Sequence, residues 1–284
     1  MAWHHRVMAT IVERYDRDAE DYGHHWAPVL DATARRLLDR VEPLVARLGR
    51  PPVVLDVGTG HGVLALEALA RWPEAGVIAA DPSVGMLGSA ARRAQELGYD
   101  DRTNLRWLHA PADALPLGDG VVDLVVSSFV FQLVPDRTAA FGEVRRVLRP
   151  GGHLAFVTWL DAGPDFAPAV EFDEAVVDLG IEEPEPEPEE PSAGDFRSPR
   201  SAASELRRAG FDRVSARLEV LEHAWTREGY LEFKERYDEM ALFSWLDGDT
   251  ARRLVARARE RMAALPADAF TWRAEVVSVL ARRS

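Results

Sequence analysis

The feature that most constrains this chain is an apolar run that breaks straight into three alternating glycines. Val53-Val54-Leu55-Asp56-Val57 leads into Gly58-Thr59-Gly60-His61-Gly62, and a helical pattern then continues to Arg71. A strand, a glycine-rich turn and a helix in that order have the context of a binding turn. Glycine allows the tight turn and lets a ligand lie against bare backbone. The helix behind it presents free N–H groups at its start. The spacing narrows the ligand. A dinucleotide fingerprint needs glycines at 58, 60 and 63, and position 63 is Val63. Asp56 puts a carboxylate at the strand end. That charge repels a pyrophosphate and suits a cationic group such as an amine. A purely structural turn is the plain alternative.

The alternation continues downstream. Val77-Ile78-Ala79-Ala80 is a second strand candidate, followed by a helix over 83–97. Residues 105–109 make a third strand, and 121–127 a fourth. The fourth is continuous and β-branched, as expected of a strand covered on both faces. A helix over 137–148 and the turn Pro150-Gly151-Gly152 lead to a fifth strand, 154–159. Strands alternating with helices imply right-handed crossovers and a parallel sheet. Beyond Trp159 the pattern predicts helices over 165–180 and 198–209, a strand over 214–221, an aromatic-rich and mostly helical region over 227–265, and a last strand over 270–281. Upstream, residues 7–48 read as helical, ending at Gly49 and Pro51-Pro52.

Three parts follow: an N-terminal helical cap (1–50), an α/β core (51–162), and a C-terminal part of the sheet with an inserted helical lid (163–284). The run 182–191, acidic with alternating proline, reads as an extended connector.

Composition limits the partners. The net charge of −13 disfavours nucleic acid and anionic membrane surfaces. The absence of cysteine removes disulfides, thiolate metal sites and thiol nucleophiles. Residues 1–9 lack the apolar stretch of a signal peptide. No run approaches the roughly 18 apolar residues of a membrane span. A cytoplasmic protein is the expectation, as monomer or homodimer, with no metal.

Asp81 closes the second strand, where a carboxylate can accept hydrogen bonds from both ribose hydroxyls. Alternatively, Asp81 or Ser83 caps the following helix. At this point the chain resembles the class I S-adenosylmethionine-dependent methyltransferases, in particular the small-molecule group that includes the quinone-biosynthesis type. The resemblance is carried by VVLDVGTGHG (53–62), AADPSVGML (79–87), ADALPLGDGVVDLVVSS (112–128) and EVRRVLRPGGHL (143–154). It runs from about Tyr15 to Trp159, and more loosely to the C-terminus.

The resemblance implies a Rossmann-like sheet of seven strands, mostly parallel with an antiparallel last strand, helices on both faces, and a helical lid. It implies S-adenosylmethionine as cofactor and S-adenosylhomocysteine as product. It places Asp56, Gly58, Thr59, Gly60 and Gly62 at the methionine end, and Asp81 at the ribose. Met86 packs on the adenine face beside Pro82; apolar packing predicts the same burial for Met86. Tyr15 and Tyr22 belong to a segment that caps the cofactor. Ser127, Ser128 and Phe129 leave the fourth strand beside the sulfonium. The family often has an aspartate two residues before the position of Asp113, and this chain has Pro111 there. The adenine contact then falls to the Ala112 backbone or to Asp113.

Methyl transfer is an in-line displacement that mainly requires alignment and exclusion of water. Only hydroxyl or carbon acids clearly call for a base. His24 and His25 are the candidates, with an exposed histidine pair as the alternative. Gln132 stands where the family often has histidine. Trp225, Tyr230, Phe233, Tyr237 and Phe243 suggest an apolar or aromatic small-molecule acceptor, although such a stripe also serves packing. The rival readings are a nicotinamide-dependent oxidoreductase and a catalytically inactive cofactor-binding protein of the same fold.

Overall fold

The computed structural model describes residues 11–160, 166–182 and 192–284. Most of the proline-alternating connector lies outside the described residues. Among these residues seven strands form one sheet: β1 (Val53–Val57), β2 (Gly76–Asp81), β3 (Leu105–His109), β4 (Val122–Ser128), β5 (Leu148–Trp159), β6 (Phe211–Ala224) and β7 (Thr271–Arg283). Their order is β3-β2-β1-β4-β5-β7-β6. The first five pair in parallel. β7 runs antiparallel to both β5 and β6, so it alone is reversed.

The chain leaves β1 at the point where the strand order changes direction. β2 pairs on one side of β1 and β4 on the other. The crossovers therefore diverge there and open a crevice at the carboxyl ends of β1 and β4, where open α/β sheets bind ligands. The glycine-rich turn lies in that crevice.

Helices cover both faces. α2 (Ala27–Val45) and α3 (Val63–Arg71) pack on one face, and α5 (Arg137–Val147) and α7 (Pro199–Arg208) on the other; α1 (Ile11–Asp21) packs on α4 (Val84–Glu96), and α6 (Ala167–Asp178) belongs to a separate cluster. Apolar residues of α2 (Val29, Ala34, Leu37, Leu38, Val41) meet Val54, Leu124 and Val126 of the sheet. On the opposite face Phe141 and Val144 of α5 and Leu206 of α7 meet Leu55, Val125 and Phe156. Successive strand residues point to opposite faces, so both sides of β1 and β4 are buried. This is why those strands are mostly apolar, with Asp56, Asp123 and Ser127 as buried polar exceptions.

A second helical cluster sits over one end of the sheet. α8 (Arg227–Phe233), α9 (Met240–Trp245) and α10 (Gly248–Met262) pack with α6 around Phe172, Tyr230, Leu254 and Met262. Lys234 is the chain's one lysine. It is buried in this cluster, paired with Asp238 at 2.6 Å and Glu239 at 2.9 Å, and lies over the Phe172 ring. A buried cation needs such partners.

Three expectations change. The helix expected over 7–48 is divided, among the described residues, by a π-helical segment, Tyr22–Trp26. The helical region expected over 227–265 contains a second, Lys234–Asp238. A π turn inserts one extra residue and rotates the side chains that follow. β6 is longer than expected, from Phe211 to Ala224, because its whole length finds β7 as a partner despite an irregularity between Asp212 and Ser215.

Asp123 ties the base of the sheet together. Its carboxylate accepts from Arg50 at 2.6 and 2.9 Å and from the Val53 N–H at 2.9 Å, and it pairs with Arg149 at 2.7 Å. Burial pushes its pKa up, but these hydrogen bonds outweigh that and hold it below the usual carboxylate range. No described helix is long and apolar enough to cross a membrane.

Candidate cofactor site

The turn after β1 owes its shape to glycine. Gly58, Gly60 and Gly62 have φ of 67°, 51° and 82°. L residues with side chains pay a steric cost in this region. Local hydrogen bonds hold the bend. Thr59 N–H donates to Ala80 O at 2.9 Å, and Gly60 N–H donates to Asp81 Oδ2 at 2.8 Å. Asp56 Oδ2 accepts from Thr59 Oγ1 at 2.7 Å and from Ala65 N–H at 3.1 Å, which ties the turn to the start of α3.

Ser83, not Asp81, caps α4: its Oγ accepts from Met86 N–H at 3.0 Å. The two capping candidates are thereby separated. Each oxygen of Asp81 accepts one backbone N–H, from Gly60 and from Ser83 at 2.9 Å. A carboxylate oxygen has a second lone pair, so both can still accept from a ligand diol.

A cavity of about 320 Å³ opens beside this carboxylate. Its walls include Tyr15, Tyr22, Gly58, Gly60, Asp81, Pro82, Met86, Ala112, Asp113, Ser128 and Phe129. A smaller cavity of about 40 Å³ shares Tyr22, Gly58, Gly60 and Ser128 with it, and adds Asp31, Asp56, Thr59 and His61. Most of the residues expected at the site thus line two neighbouring cavities that share part of their walls. Ser127 and Gly62 stand behind it. Ser127 is fully buried and donates to Val57 O at 2.8 Å, while Gly62 packs near Ala90. Both support the walls without lining them.

His24 and His25 are not on either wall. His24 is exposed, with Nδ1 2.9 Å from Glu20 O one turn earlier, and the His25 ring lies 6.4 Å from it. His61 does line the smaller cavity, 2.8 Å from Ser89 Oγ. Burial, with nearby Arg93, lowers its pKa to about 4, so it is neutral at pH 7.

Burial raises Asp56 to about 7 and Asp81 to about 6. Their ordinary value is 3.8. Because the folded values are raised, the contribution of these groups to free-protein stability is present at acid pH and lost as pH rises through about 6 to 7. A ligand that needs the ionised carboxylates binds with the opposite trend. We expect affinity for S-adenosylhomocysteine to increase about tenfold or more between pH 5.5 and 7.5 and then level off. Calorimetric titration across that range, in one buffer of constant ionic strength, checks this; a flat profile contradicts it.

One residue that shapes the site, Asp16, escaped the sequence reading. Asp16 on α1 accepts from Ser83 Oγ at 2.5 Å and from Gly85 N–H at 2.9 Å. This clamps α1 over the start of α4, where a Cβ on Gly85 would lie 2.6 Å from Asp16 O. Phe129 has φ of 57° and is held by Gln132, whose Nε2 donates to Phe129 O at 2.7 Å. Thr158 Oγ1 in turn donates to Gln132 Oε1 at 2.6 Å. Gln132 is therefore a buried brace, not a base.

The two π turns bring an aromatic group together above β4 and β5. Trp26 stacks on Phe233 at 5.5 Å and on Tyr237 at 6.4 Å, and Tyr22 meets Tyr237 at 6.1 Å. Phe129 packs on Trp159 at 4.1 Å. Trp225 and Phe233 join this group, while Tyr230 and Phe243 face the lid's own interior.

Residues 54–152 match the family model described as a methyltransferase domain. This segment is a class I S-adenosylmethionine-dependent methyltransferase domain. A malonyl-[acyl-carrier protein] O-methyltransferase from Geobacter sulfurreducens is 41% identical to the chain over 151 residues, 52% of each sequence. A demethylmenaquinone methyltransferase from Thermus thermophilus is 43% identical over 104 residues, 37% of this chain and 46% of that one. The chain thus spans about half the length of the curated relatives it matches. A Galdieria sulphuraria structure, described as a candidate sarcosine dimethylglycine methyltransferase, superposes with a TM-score of 0.55 at 16% identity. It covers 95% of this chain and 99% of that one, so the shared fold extends beyond the methyltransferase domain into the lid.

Proposed function

We propose that this chain transfers a methyl group from S-adenosylmethionine to a small acceptor that presents an apolar or aromatic body. The observation that carries the reading is the pair of cavities that meet at the glycine turn: its bare backbone lines both, the open lone pairs of Asp81 border the larger, and Asp56, with a buried oxygen that has no partner among the described residues, borders the smaller. These groups fit the donor compound. Asp81 suits a ribose diol, Met86 and Pro82 suit an adenine face, and Asp56 suits an ammonium.

When bound, S-adenosylmethionine supplies a methyl carbon on a sulfonium: the acceptor lone pair forms the new bond, the S–C bond breaks, and a neutral thioether leaves. The chain's own residues align and enclose. Tyr15 and Tyr22 close the crevice from the cap, and the Asp16 clamp holds α1 in place. Aromatic faces beside Phe129 favour a positive charge. Burial raises the pKa values of Tyr15, Tyr22 and Tyr237, so these phenols keep their protons at neutral pH and act as hydrogen-bond donors. Among the described residues His61 is the histidine that lines a cavity, beside the glycine turn. An acceptor atom that needs no strong base, such as a carboxylate oxygen or an amine that releases its proton to water, suits these walls.

The acceptors in the relatives' names do not transfer directly. The lid rings Trp225, Tyr230, Phe233, Tyr237 and Phe243 line neither cavity, and they lie outside residues 54–152, the segment matched to the family. The test is formation of S-adenosylhomocysteine across a panel of carboxylates, amines and phenols with apolar bodies. We expect turnover with carboxylates or amines, and no change on replacing His24 or His25 by alanine. Absence of any affinity for S-adenosylhomocysteine would overturn the reading.

A further inference from the structure

Two buried carboxylate oxygens without partners border the smaller cavity. Asp56 is 1% exposed, and its Oδ1 has no hydrogen-bond partner among the described residues. Asp31, on α2, is the other: its Oδ1 is buried and equally unpartnered. Asp31 Oδ2 pairs with Arg35 and with Arg93, each at 3.6 Å. Both aspartates line the same space of about 40 Å³. Leaving a buried acceptor unmet is costly, and two beside one small space point to a shared donor.

The space has room for a primary ammonium, a group close in size to a water molecule. An ammonium has three N–H donors and a full positive charge, so it can satisfy both oxygens at once. Its neighbours on the wall, Gly58, Thr59, Gly60 and Ser128, are those that also face the larger cavity or the turn between the two.

We propose that Asp31 is a second carboxylate for the amino group at the methionine end of the donor compound, acting with Asp56, which lines the same cavity. This rests on the donor reading above and assigns α2 a specificity role: selection of adenosyl compounds that keep the α-amine. Asp31 touches no reacting atom, so it is a positioning residue.

The experiment compares two ligands on the full chain by calorimetry: S-adenosylhomocysteine, which has the amine, and 5′-methylthioadenosine, which lacks the amino-acid end. In Asp31→Asn, affinity for S-adenosylhomocysteine should fall about 10- to 100-fold, with affinity for 5′-methylthioadenosine unchanged. Unchanged affinity for S-adenosylhomocysteine would overturn the proposal. So would an equal loss for both ligands, which marks a structural role. If Asp31→Asn fails to fold, Asp31→Ser is read in the same way. Wild-type protein that binds neither ligand defeats the donor reading, and this proposal with it. Wild type that binds both, with Asp31→Asn unaffected, defeats this proposal alone.

Discussion

Adding one methyl group at Gly58, as Gly58→Ala, is expected to remove measurable binding of S-adenosylhomocysteine. The new Cβ would lie 2.2 Å from Val130 Cγ2 and 2.7 Å from its Cγ1. Val130 follows the constrained Phe129, so it has little room to retreat. The backbone adds a second cost, because φ at this position is 67°. Left-handed backbone costs roughly 1–2 kcal/mol for a residue with a Cβ, and overpacking typically costs about 1–3 kcal/mol. Together these amount to about 2–5 kcal/mol, which the turn can relieve only by opening. An open turn no longer presents its N–H groups and no longer lets Gly60 donate to Asp81. Affinity should fall by about 100-fold or more, with a lowered melting temperature. Near-native affinity in a folded Gly58→Ala variant would show that the bend does not contact the ligand.

Asp81→Ala should be nearly as damaging, by a different route. Two backbone donors, Gly60 N–H and Ser83 N–H, lose their acceptor. The ligand diol loses its acceptor as well. Hydrogen bonds to a charged group contribute about 1.5–3 kcal/mol each, so loss of two ligand contacts predicts about a 100-fold or greater drop in affinity. Asp81→Asn separates the two effects. It retains one carbonyl oxygen for a backbone donor but turns an NH₂ toward the other, so it should fold better than the alanine variant and still bind poorly. If both variants bind S-adenosylhomocysteine like wild type, the ribose assignment fails.

These predictions lie on different links of the same chain of causes. Gly58 acts through backbone sterics, and Asp81 through unmet donors. The pH dependence acts through the cost of burying charge. Each reads the crevice at the carboxyl ends of β1 and β4, and none depends on the identity of the acceptor.

Much of the core was legible along the chain. The glycine turn, Asp56 and Asp81 are local features: a strand end, a bend that requires positive φ, and the next strand end. Their chemistry depends on neighbours a few residues away or on the adjacent parallel strand. The antiparallel end of the sheet was expected from the family resemblance; the placement of β7 between β5 and β6 is a pairing of segments distant in sequence. The π turns were not legible, because one inserted residue barely disturbs a helical apolar pattern. Nor was Asp31 or Asp16. On a helical wheel both are ordinary polar positions, and their roles arise only when α1 and α2 cross the crevice. The aromatic stripe was readable as rings but not as neighbours. Tyr230 and Phe243 pack inside the lid, whereas Phe233 and Tyr237 reach Trp26 of the cap.

The amino-acid order alone therefore determined the strand-turn-helix unit and the two acidic strand ends, since short-range sterics and hydrogen bonding suffice for them. Only tertiary structure decided which carboxylate caps a helix, which is left unpaired beside a cavity, and which rings face one another. Those outcomes depend on desolvation and contact between segments far apart in the chain, and no local pattern encodes which surfaces will meet.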